Sequence, residues 1–103
     1  MEDHMFKNDL KEYKELQKAE LQKHLEILDK VHKLVDSIFE KYGMQPMHSE
    51  DVSPQNSWIK VRIHNIAKFE LPTDLINDLT KEMNSEKSLV TILDGKLELT
   101  FSY

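Results

Sequence analysis

The chain has no cysteine, which excludes disulfides, thiolate nucleophiles and cysteine-held zinc together, and which suits a reducing compartment such as the cytoplasm. Glycine occurs twice and proline three times, too few for a phosphate-cradling loop or a low-complexity linker. No apolar run approaches the ~20 residues of a membrane span. The opening Met1-Glu2-Asp3-His4-Met5 lacks the basic flank and apolar stretch of a secretion signal. His4-Met5 resembles a cloning junction, which would put the native start at Met5. No zinc-protease, EF-hand or nucleophile-elbow spacing is present, so no catalytic residue is nominated and no enzyme, metal or cofactor role is expected.

What is present fits one folded domain over 1–103. Apolar residues make up 39% and charged residues 32%, and the apolar ones recur with a clear period nearly to the last residue, which argues against disorder. A net charge of −5 opposes a surface that grips nucleic acid or anionic lipid as a whole.

Between Asn8 and Tyr42 there is neither proline nor glycine, and Glu, Lys, Leu and Gln dominate. Leu21, Leu28, Val35 and Tyr42 repeat every seven residues, flanked by Leu25, Ile27, Val31, Leu34, Ile38 and Phe39. The pattern predicts one long amphipathic helix over 8–42, stopped by Gly43. Such a helix is about 50 Å long, whereas a domain of this size is roughly 26–30 Å across. Its N-terminal apolar residues would then outreach the sheet. Self-association through Phe6, Leu10, Tyr13, Leu16 and Leu21 is the expected outcome.

Residues 43–57 hold two prolines and many turn-formers and read as a loop. Over 58–71, Ile59, Val61, Ile63, Ala67, Phe69 and Leu71 alternate with polar residues, as in a hairpin or one long strand. A loop at His64-Asn65-Ile66 would pair Ile63 with Ala67, Val61 with Phe69 and Ile59 with Leu71. Pro72 and the stripe Leu75, Ile76, Leu79 and Met83 predict a short helix over 73–84. Asp94-Gly95 signals a tight turn in a hairpin over 88–102, pairing Ile92 with Leu97, Val90 with Leu99 and Ser88 with Phe101. The expected fold class is α+β, with order α-ββ-α-ββ and a four-stranded antiparallel sheet covered on one face by helices.

Two histidine groups merit attention. His32 has Asp36 one turn on and Asp29 three residues back, and His48 precedes Glu50 and Asp51. Charge-dense helix edges and loops produce such spacings without a ligand, so neither is read as a metal site. Trp58, Lys60, Arg62, His64 and Lys68 point away from the expected core and form a candidate partner-binding surface. A basic face beside an aromatic could also stack a base and neutralise phosphate, so a nucleic-acid-binding module is the alternative reading. A small enzyme without a recognisable motif is the second alternative.

The favoured reading is a cytoplasmic, non-catalytic regulatory or adaptor protein that dimerises and binds another protein. A small acidic chain also suits an inhibitor of a nucleic-acid-handling complex, such as mobile elements encode, by analogy of size and charge alone. A membrane partner is not expected, because the polar face of the helix mixes Glu with Lys.

Overall fold

Helix propensity and apolar spacing act first in the N-terminal third. In the computed structural model, which describes residues 5–15, 21–68 and 70–103, helix α1 runs Met5–Glu15 and helix α2 runs Leu21–Lys41. Along α2, Ile27, Val31, Val35 and Ile38 follow one another at three- and four-residue steps and are all buried. The helix ends as the sequence predicts. Gly43 takes a left-handed φ of 70°, its N–H bonds the Glu40 carbonyl and the Met44 N–H bonds the Phe39 carbonyl, a Schellman closure.

The two helices correct the expectation of a single rod over 8–42. In one straight helix Asp9 and Lys30 would stand about 31 Å apart at 1.5 Å per residue, yet the Lys30 ammonium lies 3.0 Å from an Asp9 carboxylate oxygen. Lys23 reaches the same carboxylate at 3.4 Å. Helix α1 therefore folds back along α2, and Phe6 and Leu10 are buried in the core of their own chain. Cover for these side chains comes from within one subunit, which removes the length mismatch as a reason for a partner.

Strands β1 (His48–Ser53) and β2 (Trp58–Ile63) follow, then a 3-10 turn at Ile66–Lys68, helix α3 (Thr73–Met83), and strands β3 (Lys87–Leu93) and β4 (Lys96–Ser102). The fold class is as expected, α+β with an antiparallel four-stranded sheet, and the strand order is β1-β2-β4-β3. Helix α3 presents buried Leu75, Leu79 and Met83. It closes on Asn84 in the left-handed conformation, whose N–H bonds the carbonyls of Thr80 and Lys81.

Two stretches depart from expectation. The segment 43–57 is not all loop, since β1 lies within it and pairs with β2 from His48↔Ile63 to Ser53↔Trp58. The other side of β2 pairs with β4, from Ile59↔Phe101 to Ile63↔Leu97. A strand has two edges, so with both taken none remains for 67–71. Instead Asn65 adopts a φ of 56°, the 3-10 turn follows, and Ala67 is exposed. Phe69 lies outside the described residues. The C-terminal hairpin has the predicted register, Ile92↔Leu97, Val90↔Leu99 and Ser88↔Phe101. Asp94 and Gly95 both have positive φ, 48° and 74°, as a type I′ turn requires.

The core lies between the helices and the inner sheet face, where Val52, Ile59, Val61, Ile63, Leu97, Leu99 and Phe101 are buried. None of the described helices is long and apolar enough to cross a membrane.

Candidate functional site

Among the described residues, strand β3 is an edge strand with β4 as its only neighbour in the sheet. Its side chains alternate between faces, so Val90 and Ile92 share the inner face with their partners Leu99 and Leu97. Those partners are buried, but Val90 is 52% and Ile92 67% exposed. Helical cover ends between β4 and β3. On the outer face Leu89 is 63% and Leu93 55% exposed, so apolar surface wraps both faces of an open edge. Edge strands are ordinarily blunted by charge, proline or a bulge. From Ser88 to Leu93 there is neither charge nor proline, and the β3–β4 ladder runs one residue to one without a bulge. The register of Val90 and Ile92 is as expected, but inward facing secures burial only where a helix lies above.

The other expected surfaces fare differently. Trp58, Lys60 and Arg62 do lie side by side on the outer face of β2, yet the positive charge there is engaged. Arg62 donates to Glu98 at 2.8 Å and Lys60 stands 3.8 Å from the same carboxylate. The Lys60 ammonium also sits 4.5 Å from the centre of the Trp58 ring. Glu98, brought in by β4, could not be seen from the 58–71 segment. His64 lies beyond β2, its Nε2 3.2 Å from the Ser49 hydroxyl. Lys68 ends the 3-10 turn, apart from the strand face on which it was expected.

Of the expected helix interface, Phe6 and Leu10 are core residues and are not available to a partner. Tyr13 is half-buried, with its hydroxyl 3.1 Å from Nδ1 of His24. The side chains of Leu16 and Leu21 lie outside the described residues.

The two histidine groups, separate in sequence, come together. Successive turns of α2 supply His32 and Asp36, and the inner face of β1 supplies His48 and Glu50. Glu50 spans both rings, one oxygen 2.5 Å from Nδ1 of His32 and the other in close contact with Nδ1 of His48. Asp36 spans the opposite side, 2.5 Å from Nε2 of His48 and 3.4 Å from Nε2 of His32. The ring centres are 4.2 Å apart. Burial works against a charged His48, but the hydrogen bonds and negative charges of Glu50 and Asp36 outweigh it and raise its pKa above the ordinary value. Asp29 and Asp51, the other members of the two sequence groups, face elsewhere. Asp29 pairs with Lys33 at 2.9 Å, and Asp51 accepts the Val52 N–H at 2.8 Å.

Comparison with protein-family models, with curated proteins and with solved structures finds no match for this chain.

Proposed function

We propose that this chain is a non-catalytic protein-binding module that acts through the open edge of β3, with a second copy of itself as the first partner. The reading rests on the four exposed apolar side chains of an unblunted edge strand. Main-chain pairing along such an edge supplies affinity, and the alternate side chains supply selectivity.

The sequence of the strand favours self-pairing. Two antiparallel β3 strands centred on Thr91 would set Val90 of one copy opposite Ile92 of the other, and Leu89 opposite Leu93. Residues opposite one another in an antiparallel pair share a face, so apolar meets apolar on both faces, as a two-fold contact requires. The four-stranded sheet would become one of eight strands. A regulatory or adaptor role in a reducing compartment such as the cytoplasm, with a further protein partner, extends this reading. Lys60 and Arg62 are paired with Glu98, which weighs against the nucleic-acid alternative.

Light scattering over a dilution series tests the proposal. The expected result is a dimer that dissociates on dilution, and an Ile92→Lys variant that is monomeric throughout with an unchanged circular dichroism spectrum. Wild-type protein that stays monomeric at the highest attainable concentration overturns self-pairing.

A further inference from the structure

We propose that Nε2 of His32, Nε2 of His48 and the carboxylate of Asp36 form a binding site for one divalent cation of the zinc type, with Glu50 orienting both imidazoles. One ligand atom from each of His32, Asp36 and His48 already lies within 4.8 Å of the others. Ligands of a tetrahedral ion at ~2.0–2.2 Å stand roughly 3.4 Å apart. The observed Nε2-to-Asp36 separations of 2.5 and 3.4 Å need a shift of about 1 Å at most. Asp36, the most exposed member of the cluster, is the residue free to make it.

Hydrogen-bond polarity supplies the stronger reason. The Glu50 side chain is 4% exposed and contacts the two Nδ1 atoms. An ionised carboxylate only accepts, so each Nδ1 carries a hydrogen. With that hydrogen alone, a ring would turn a bare Nε2 lone pair toward the anionic oxygens of Asp36. Lone pairs facing a carboxylate repel unless a positive centre stands between them. One dication answers both rings at once and balances two carboxylates, and a carboxylate behind a ligating histidine is the usual way its tautomer is set. Oxygen-only cations such as magnesium fit this donor set poorly, whereas imidazole with carboxylate suits zinc and its neighbours.

The site is open to solvent. His32 is 46% and Asp36 57% exposed at the side chain, against 3% for His48. A shallow groove of ≈ 420 Å³ lined by Leu25, Leu28, Asp29, His32 and Glu50 adjoins it. Three protein ligands leave a fourth position for water, a small anion or a side chain from a partner.

The competing account is that two protons, rather than a metal, fill the gaps. Metal-stripped protein titrated with zinc chloride against a chromophoric chelator separates the two. One zinc per chain is expected, with at least a tenfold weaker affinity in His32→Gln and in Asp36→Asn. Both side chains contact shielded groups on β1, so each change should lower the metal-free thermal midpoint, and affinities are compared at a temperature where circular dichroism shows both variants fully folded. Asp29→Asn, on the same helix but outside the cluster, should bind as wild type. Cobalt(II) should give the intense visible bands of a four-coordinate site. Absence of saturable one-to-one binding, or binding equally strong in His32→Gln and Asp36→Asn, would falsify the site. Neither outcome bears on the β3 edge, whose test reads mass.

Discussion

The Lys30 ammonium and the Asp9 carboxylate, 21 residues apart in the chain, meet at 3.0 Å and tie α1 to α2, with Lys23 on the other carboxylate oxygen. The Asp9 and Lys23 side chains are largely shielded from water, so the pair is worth more than a free surface ion pair. Asp9→Ala should lower stability by about 1–2 kcal/mol in urea unfolding. A loss indistinguishable from zero would mean that apolar contacts alone hold α1 in place.

Leu10, expected at an interface, is buried in the core, whereas Leu89 on the edge strand is exposed. Leu10→Ala should cost about 2–5 kcal/mol of folding stability. Leu89→Ala should stay within about 0.5 kcal/mol in the monomer and weaken only association. Equal effects in denaturant titrations of dilute protein would contradict the packing described.

At Gly95 the φ of 74° is costly for any residue with a Cβ, while an added Cβ would meet nothing within 4 Å. Gly95→Ala should therefore destabilise by about 1–2 kcal/mol through backbone strain alone. Asp94→Asn, which tolerates a left-handed φ equally well, should be near neutral. Thermal midpoints of the two variants check the contrast.

Acid and base should erode stability through one contact. The Tyr42 hydroxyl donates to Asp78 at 2.6 Å and the Lys41 ammonium at 3.1 Å, and together they hold the Asp78 carboxyl below its ordinary 3.8. A depressed folded value contributes stability above 3.8 and loses it as pH falls through the folded value. The same hydrogen bond pushes the Tyr42 phenol up from 10.0 to about 12. That contribution is complete below 10.0 and lost as pH rises through about 12. In Asp78→Asn both limbs should flatten, and the Tyr42 phenolate absorbance should appear at lower pH than in wild type.

Features set by neighbours in the chain were readable in advance. The Asp94-Gly95 turn with its flanking alternation gave the C-terminal register residue for residue, and Gly43 marked the end of α2. Strand β1 was hidden because its inward residues are His48, Glu50 and Val52, so the usual alternation shows one apolar side chain in place of three. The two polar ones point inward because α2 offers His32 and Asp36 to meet them, a fact of packing absent from any local window. The apolar alternation over 67–71 misled for the opposite reason: its expected partner, β2, has both edges taken by β1 and β4.

Local chemistry in the sequence by itself determined the helix-rich start, the α3 stripe, the last hairpin and the α+β class, because propensity, period and turn geometry act over a few residues. Tertiary structure alone decided that α1 folds back on α2, that β2 lies between β1 and β4, that two histidines and two carboxylates share one cluster, and that β3 is left uncovered. Each of those depends on which distant surfaces compete for the same apolar cover and the same strand edges, and that competition is resolved only when the whole chain packs.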